Sequence, residues 1–499
     1  MDLNLHLLLP EILVAAAALL AVTADLLVPS RRTSLVPLVS AAGCLAAFWF
    51  LWQGRGDGRQ TAVLGHFVSD DFSRFARALA AGGGALLVAL SAGYAKRMDR
   101  GHGEFYGLML LAVVGVMLVS GVSDLMSLFV SLELITVMSY VLAAFRRNDA
   151  TSTEAGLKYL MVGAVSSAIL LFGIALVYGA AGTVDFGPLA AHVAGKGASP
   201  LLALGTALVF CGLFFKAAAV PFQVWAPDVY QGAPTPVTAF LSSLSKSAGF
   251  VLLLRTMQVL VVPGAGATGA EAWITFLVVI GAVTLLYGNL GAMPQKNVKR
   301  LLAYSSIGHA GYMLLGIAAI AAAPSQEIRI LATAAILLYV LAYYLTTVTA
   351  FAVVSMVSAE GRGHDMGGAY AGLSRRSPFL AVSMLLSLLS LAGVPPMAGL
   401  IGKFLVFYAV VKAAETHHAL YVAALIGAVG VVVSLYYYLL LIREMYAKQP
   451  AGDAPVAKIP WTSRLVLVVG IASMVGLGIY WQPAYDAATH AAKALFPGP

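Results

Sequence analysis

Charged residues and cysteines are both scarce in this chain. Of its 499 residues only 10% are charged, whereas a soluble domain has about a quarter. The two cysteines, Cys44 and Cys211, each lie inside an apolar run and form no CxxC pair. Two separated thiols exclude ligation of an iron–sulfur cluster and give no support for a disulfide. The low charge excludes a soluble globular protein.

Histidines and nucleotide-binding motifs are also missing from the apolar segments. Of nine histidines, only His309 lies well inside a predicted membrane span, too few for a haem held by two histidines. No GxGxxG or GxxxxGK[ST] motif follows a strand-like pattern, so neither a dinucleotide site nor an ATPase is indicated. The chain itself is predicted to carry no redox cofactor and no metal.

Long apolar runs make up most of the sequence. Hydrophobic residues account for 60% of the chain, and about 20 apolar residues are enough for one helical crossing of a bilayer. This predicts an all-α polytopic membrane protein, a single membrane domain over residues 1–499. We expect about fourteen transmembrane spans, at residues 5–28, 33–52, 72–95, 105–121, 124–145, 154–181, 201–220, 236–262, 272–292, 299–323, 328–357, 379–414, 419–447 and 461–481.

Two of these spans are interrupted by proline. In span seven Lys216 shortly precedes Pro221, and in span twelve Lys403 lies seven residues beyond Pro396. Freed backbone groups survive in a membrane only where protein or water satisfies them. Paired discontinuous helices in corresponding positions are typical of inverted-repeat transporters. We predict two inverted five-helix repeats, helices 4–8 and 9–13, at 105–262 and 272–447, between N-terminal helices in 1–104 and a last helix at 461–481.

The net charge of +8 is explained by the distribution of lysine and arginine over the loops. Basic loops stay in the cytoplasm, so the odd-numbered loops are predicted to face the cytoplasm, with both termini outside. The even loops and tails hold six lysines and arginines: Arg55, Arg59, Lys196, Arg329, Lys412 and Lys493. The odd loops hold 17: Arg31, Arg32, Lys96, Arg97, Arg100, Arg146, Arg147, Lys296, Lys299, Arg300, Arg362, Arg375, Arg376, Arg443, Lys448, Lys458 and Arg464.

Four charged side chains lie deep inside predicted spans: Glu133, Lys216, Lys246 and Lys403. A charge at the centre of a bilayer costs roughly 2.5–3.5 kcal/mol, and such residues usually mark ion pathways. Buried ion pairing that fixes helix register is the alternative, but one acid cannot pair with three lysines. These four residues are therefore the main functional candidates.

Two weaker candidates each have a structural alternative. His309 shares a polar helical stripe with Ser305 and Tyr312, and a buried histidine is often simply hydrogen-bonded. Lys158 lies four residues after Glu154, where an i,i+4 ion pair at a helix entrance would explain it. A second polar stripe lies on span eleven, at Tyr339, Tyr343 and Thr347.

Three charged residues near span ends have a structural explanation. Arg77 and Arg255 lie within about two turns of an end, so we expect them to extend to the lipid headgroups. Asp124 begins span five and is predicted to be a helix N-cap or first-turn acid.

The transported ion is predicted to be the proton. Burial disfavours the charged form of a lysine and a neighbouring carboxylate favours it, so a lysine beside a movable carboxylate can bind and release protons. Sodium or potassium would need carboxylate and carbonyl ligands, and lysines repel metal cations.

Three stretches carry a family resemblance: VPFQVWAPDVYQGAPTPVTAFLSSLSKSAGF, QKNVKRLLAYSSIGHAGYMLLG and SLAGVPPMAGLIGKF. Together they resemble subunit N, a family of antiporter-like proton-pumping subunits of bacterial NADH–quinone oxidoreductase (respiratory complex I), over nearly the whole chain. The resemblance implies a translocase that moves protons, coupled to NADH oxidation and quinone reduction in other subunits. A subunit of a multisubunit Na⁺/H⁺ antiporter, or of another redox-driven pump, is the alternative.

The resemblance also implies roles, cofactors and partners. NAD, FMN, iron–sulfur clusters and quinone are expected in partner subunits. The partners are expected to be subunits M, J, K and A and the lipid bilayer, without nucleic acid. Family members often carry histidine where this chain has Gln223, which cannot change its charge. By resemblance, Glu133 and Lys216 correspond to an acid–lysine pair, Lys246 to the central lysine, Lys403 to the terminal lysine and His309 to a polar position between half-channels.

The orientation can be tested by cysteine labelling in intact cells. A cysteine at residue 2 or 498 should react from outside, because both termini are predicted to lie there. A cysteine at residue 98 or 298 should react only after permeabilisation. Labelling of position 298 from outside would contradict the orientation.

Overall fold

The computed structural model describes residues 3–27, 35–54, 58–95, 101–196, 199–262, 270–357, 366–450 and 459–496. These residues are mostly helical because a chain in lipid must satisfy its backbone hydrogen bonds internally. One short antiparallel pair, β1 (Gln60–Ala62) and β2 (Phe67–Ser69), is the exception. The helices are α1 Leu9–Leu27, α2 Leu35–Gln53, α3 Asp71–Ala95, α4 His102–Leu118, α5 Leu125–Ala143, α6 Ala150–Ala181, α7 Phe186–Lys196, α8 Pro200–Ala217, α9 Trp225–Gly232, α10 Thr235–Phe240, α11 Lys246–Leu260, α12 Ala270–Ala292, α13 Val298–Ala322, α14 Gln326–Val357, α15 Leu373–Arg376, α16 Pro378–Ala392, α17 Ala398–Ala413, α18 Ala419–Ala447, α19 Trp461–Ile479 and α20 Gln482–Leu495.

The predicted all-α membrane architecture is confirmed. Among the described residues, twelve helices are long and apolar enough to cross a membrane, and two shorter apolar helices, α4 and α16, correspond to the predicted fourth and twelfth spans. The helices α13 and α14 lie at the centre and are mostly buried. The count of fourteen spans, the two inverted repeats and the division of the chain at 105–262 and 272–447 stay predictions.

Spans seven and twelve, which were predicted to be interrupted, are each divided into two helices. The first break separates α8 from α9, and the second separates α16 from α17. Each begins with a left-handed residue, Ala218 at φ 56° and Gly393 at φ 86°, and each contains a cis peptide bond, Val220–Pro221 and Pro395–Pro396. The two breaks therefore share local geometry, and each exposes helix-end backbone groups inside the bundle.

Hydrogen bonds join the loops into two sets. Asp228, on α9 between the predicted spans seven and eight, pairs with Lys158 and Arg300, which lie beside the fifth and ninth loops. In the other set, the amide of Val68 donates to the carbonyl of Gly121, so the second loop contacts the fourth. Odd and even loops thus gather separately, as the charge pattern predicted. Which set faces the cytoplasm stays a prediction.

Both ends of the described chain lie with the even loops. The amide of Val63 in the second loop donates to the carbonyl of Leu3, and Gln326 in the tenth loop donates to the carbonyl of Phe496. Val298, proposed for labelling, is fully buried, whereas Lys296 is exposed and suits the test better. Label positions 2, 98 and 498 lie outside the described residues, as do the basic residues Arg31, Arg32, Arg55, Lys96, Arg97, Arg100, Arg362 and Lys458.

The expectation that Arg77 and Arg255 reach the lipid headgroups was wrong. Arg77 donates from two nitrogens to Glu11, at 2.7 and 2.6 Å, and is 1% exposed. Arg255 donates to both carboxylate oxygens of Asp70 at 2.8 Å. Each guanidinium donates two hydrogen bonds to a carboxylate from a distant segment, so its burial is tolerated. These pairs fasten α1 and α11 to the α3 region.

Four helices were not anticipated from the apolar runs. The helices α7, α9 and α15 lie between predicted spans, and α20 ends the described chain. The helix α20 is amphipathic and buries Ala488, Ala491, Ala492 and Leu495. Its apolar face is too narrow for the hydropathy of a span, which is why a search for apolar runs passes over it. The N-cap predicted at Asp124 is confirmed, because its carboxylate accepts the amide of Ser127 at 2.7 Å.

Candidate functional site

Lys246 is held in place by α13. It is the first residue of α11 and directly follows a π-helical turn, Leu241–Ser245, a deviation that often occurs at functional sites. Its Nζ donates to the carbonyl oxygen of Ser306 at 2.6 Å and to the Ser306 Oγ at 2.5 Å, and the side chain is 2% exposed. The Tyr230 hydroxyl lies 3.5 Å from the same Oγ. Ser306 therefore connects Lys246 with Tyr230.

Lys216 and Glu133 lie close together without a direct salt bridge. The Lys216 Nζ donates to the Thr136 hydroxyl at 3.4 Å, and Thr136 lies one turn beyond Glu133 on α5. Glu133 instead accepts a hydrogen bond from Ser167 of α6 at 2.5 Å. The two charges still act on each other electrostatically.

Lys403 closes the second break. Its Nζ donates to the carbonyl oxygens of Leu391 at 2.8 Å and Ala392 at 3.1 Å, which are the last two residues of α16. Carbonyls at a helix C-terminus lack partners in the next turn and carry partial negative charge. Gly393 leaves room for the lysine, because a Cβ at that position would lie 3.2 Å from the Lys403 Cδ. The ammonium group thus satisfies backbone that the break sets free.

His309 lies between Lys246 and Lys403 in a shell of tyrosines. Its Nδ1 is 2.7 Å from the Tyr339 hydroxyl, and its Nε2 is 3.3 Å from the Tyr438 hydroxyl. Tyr438 also forms a short hydrogen bond with Ser305. Which ring nitrogen carries the proton depends on the tautomer. Both nitrogens therefore face a hydroxyl that can donate or accept a hydrogen bond.

Aromatic rings complete the connection between the two lysines. The Lys246 Nζ lies 5.9 Å from the centre of the Tyr343 ring, which is 5.0 Å from the imidazole of His309. The Lys403 Nζ lies 4.9 Å from the centre of the Tyr312 ring, which is 6.2 Å from the same imidazole. Both Nζ-to-ring distances fall within the range of cation–π contacts. The predicted stripes on α13 and α14 thus meet around His309.

Lys158 lies at the surface, apart from the buried lysines. It pairs with Glu154 at 2.6 Å, as the i,i+4 alternative predicted, and with Asp228 at 2.8 Å. Asp228 also pairs with Arg300. Partial burial acts to raise the pKa of Asp228, but the hydrogen bonds from Lys158 and Arg300 outweigh it and hold that pKa below the usual range. Lys158 therefore belongs to an ionic cluster on the odd-loop face.

Sequence reasoning missed two residues of this region. Lys299, assigned to a cytoplasmic loop, is 1% exposed, and its Nζ donates to the carbonyl of Ala233 at 2.6 Å. Its spacing of seven from Ser306 places both on one face of α13, a signal that was readable from the sequence. Tyr438 was passed over because Tyr436, Tyr437 and Tyr438 together read as ordinary membrane aromatics.

Gln223 lies in the first break. The side chain is 5% exposed, and its Oε1 has no hydrogen-bond partner within the described residues. An amide cannot change its charge, so Gln223 cannot take up a proton as an imidazole would.

One group of side chains in the described ranges has donor atoms close enough to hold a metal. It consists of His66, Asp124 and Asp185 on the even-loop face, with donor atoms within 4.8 Å of one another. Asp124 already caps α5 and contacts His66 at 3.0 Å. A structural role therefore accounts for the buried member of the group.

Comparison with known proteins gives consistent matches over nearly the whole chain. The family model for the transmembrane region of NADH:quinone oxidoreductase and Mrp antiporters matches residues 122–432. NADH-quinone oxidoreductase subunit N of Moorella thermoacetica is 41% identical over 497 residues, 99% of each chain. A chain of respiratory complex I from Thermus thermophilus with bound aureothin is 32% identical, with a TM-score of 0.79 over 96% of this chain and 98% of that one.

A further match concerns the fold alone. A chain of the Mrp complex from Dietzia sp. DQ12-45-1b has a TM-score of 0.82 over 98% of this chain and 97% of that chain, at 22% identity. The helical architecture is therefore shared with proteins of different assemblies.

The contacts of Lys403 predict that it stabilises the protein as well as carrying charge. Lys403→Met should leave the Leu391 and Ala392 carbonyls unsatisfied, which costs about 1–3 kcal/mol for each buried group. Lys246→Met is the matched control, because the Ser306 carbonyl lies within α13, where the helix already satisfies it. The thermal midpoint in detergent should fall further for Lys403→Met. Equal midpoints for the two variants would show that Lys403 is not a structural cap.

Proposed function

The chain belongs to the NADH:quinone oxidoreductase/Mrp antiporter family and, within it, to the subunit N relatives, and we propose that its buried lysines carry protons across the membrane. The path comprises Glu133 and Lys216, then Lys246, then His309 and finally Lys403. Lys158 acts on the odd-loop face, where its ionic cluster lies at the entrance of the proton path. Proton movement is driven by NADH oxidation and quinone reduction in other subunits of the assembly.

One observation carries the proposal: three buried ammonium groups are held by neutral oxygens. The acceptors are the hydroxyls of Thr136 and Ser306 and backbone carbonyls. The buried arginines, by contrast, are fully matched by carboxylates. A purely structural lysine in a membrane would be expected to pair with an acid, because an unpaired buried charge is costly. Lysines held by neutral groups are suited to gaining and losing a proton.

The region around Glu133 supports an assembly with other membrane subunits. Glu133 is partly exposed on the outer side of the bundle, between exposed apolar residues such as Val130 and Val137 on α5 and Phe172 on α6. A carboxylate facing lipid is unfavourable, so another protein helix is expected to cover it. We propose subunit M or one of the small subunits J, K and A as that neighbour.

The redox chemistry is proposed to lie in other subunits of the assembly. NAD, FMN, iron–sulfur clusters and quinone are assigned to partner subunits because Cys44 and Cys211, on α2 and α8, are too few to ligate a cluster. The assembly is proposed to lie in the bacterial inner membrane with both termini outside, as the basic odd loops favour. Lysines 296 and 448 then face the cytoplasm.

The alternative is a subunit of a multisubunit Na⁺/H⁺ antiporter, which the shared fold with the Dietzia Mrp chain keeps open. Bound sodium requires several oxygen ligands. The described site offers one deep carboxylate, Glu133, against three lysines, so protons fit it better. Purification in mild detergent distinguishes the two functions. Co-isolation with a large redox assembly supports the redox-driven proton pump over the Na⁺/H⁺ antiporter.

The central test concerns Lys246. Lys246→Ala should leave assembly intact but lower quinone-linked proton pumping. Lys246→Arg should be nearly as harmful, because a guanidinium does not release its proton. Lys493→Ala, an exposed lysine on α20, is the matched control and should pump normally. Pumping is measured in reconstituted vesicles, and full pumping by the arginine variant would show that the position needs only a positive charge.

A second test concerns the acid–lysine pair. Glu133→Gln removes the carboxylate that acts on Lys216, so it should lower the proton-to-electron ratio. Glu133→Asp keeps the charge one methylene further away and should retain part of the activity. Glu415→Gln, at an exposed carboxylate between α17 and α18, is the control. If Glu133→Gln pumps like the wild type while Lys216→Ala does not, the two residues are not a functional pair.

A further inference from the structure

Tyr159 is a buried tyrosine whose hydroxyl has no hydrogen-bond partner among the residues that the structure describes. It lies on α6 next to Lys158 but points into the bundle and is 0% exposed. Its ring stacks on Trp225 at 4.5 Å and packs against Tyr140 at 4.9 Å and Phe215 at 5.6 Å. These contacts explain the ring. They do not explain the hydroxyl.

The unpartnered hydroxyl of Tyr159 lowers the stability of the folded protein. A buried polar group without a partner destabilises the folded state, so phenylalanine would be the more stable choice among these rings. Tyr140 beside it also has a buried, unpartnered hydroxyl. A Cβ at Gly163 of α6 would come within 1.7 Å of that oxygen, so the glycine provides the space it occupies. Two adjacent hydroxyls are thus placed at a cost to stability.

On one side, these hydroxyls face the acid–lysine pair. Tyr140 lies two turns beyond Glu133 on the same face of α5. Gly163, which makes room for the Tyr140 hydroxyl, lies one turn before Ser167 on α6, and Ser167 donates a hydrogen bond to Glu133. The ring of Tyr159 packs directly against that of Tyr140.

On the other side, Tyr159 faces the group that holds Lys246. Trp225, on which Tyr159 stacks, also packs edge-on against Tyr230, with ring centres 6.0 Å apart. The Tyr230 hydroxyl lies 3.5 Å from the Ser306 Oγ that binds the Lys246 Nζ. Ser245 is the last residue of the π-helical turn and directly precedes Lys246. Tyr159 therefore lies between the two lysine sites.

We propose that the Tyr159 hydroxyl is a proton relay between the Glu133–Lys216 pair and Lys246, a step within the proposed function. Its oxygen accepts a proton from a hydroxyl or water on the Glu133 side. Its own proton leaves towards Ser245 or towards Tyr230 and Ser306. One O–H bond forms and one breaks, so Tyr159 is neutral before and after, and no electron moves.

The test is Tyr159→Phe, which keeps the ring and removes only the hydroxyl. We expect normal assembly and a thermal midpoint equal to or above that of the wild type, because an unsatisfied group is lost. Quinone-linked pumping should fall by about tenfold or more, since a positioned proton-transfer group contributes at least that much. The remaining turnover should also slow further in D₂O.

Tyr106→Phe is the matched control. Tyr106 is another fully buried tyrosine with an unpartnered hydroxyl, but it lies on α4 beside Phe105, away from the lysines. Its variant should pump normally. If Tyr159→Phe pumps as Tyr106→Phe does, or loses pumping only because assembly fails, the relay is wrong. If Lys246→Ala also pumps normally, the proposed function fails as well, whereas failure of Tyr159→Phe alone to reduce pumping overturns only the relay.

Discussion

The cost of leaving a polar group unpaired inside an apolar bundle governs this structure. A helix that breaks within the membrane exposes carbonyl groups that lipid cannot satisfy. At the second break the Lys403 ammonium meets those carbonyls. The break and the lysine therefore satisfy each other, since the break supplies negative dipole ends and the lysine supplies donors. The same requirement places Ser306 against Lys246.

Buried charges in this protein fall into two groups that differ in their partners. Arg77 and Arg255 each donate two hydrogen bonds to one carboxylate. Both pairs join helices at the even-loop side. Lys216, Lys246 and Lys403 face hydroxyls and carbonyls near the helix breaks or the π-helical turn. The first arrangement fixes charge permanently, because guanidinium holds its proton. The second leaves the charge state open to change, as a proton path requires.

Hydroxyl groups connect the members of the second group. Thr136, Ser306, Tyr339 and Tyr438 each contact a lysine or His309. A hydroxyl both donates and accepts a hydrogen bond, so it can pass a proton without holding a charge. The amide of Gln223 at the first break cannot change its charge, and its Oε1 has no partner among the described residues. Hydroxyls such as that of Thr136, which contacts Lys216, are thus groups that can pass a proton near this break.

The sequence by itself determined the membrane class, the helical architecture, the two interrupted spans and the buried charged candidates. Each follows from local chemistry, because long apolar runs, prolines and charges far from polar ends are visible along the chain. The tertiary structure decided what no local pattern contains, which is the partner of each charge. Arg77 is buried because Glu11 lies on another helix, and Lys299 is buried because the Ala233 carbonyl lies above it. Partners come from residues distant in sequence, and burial of a charge depends on whether such a partner is present.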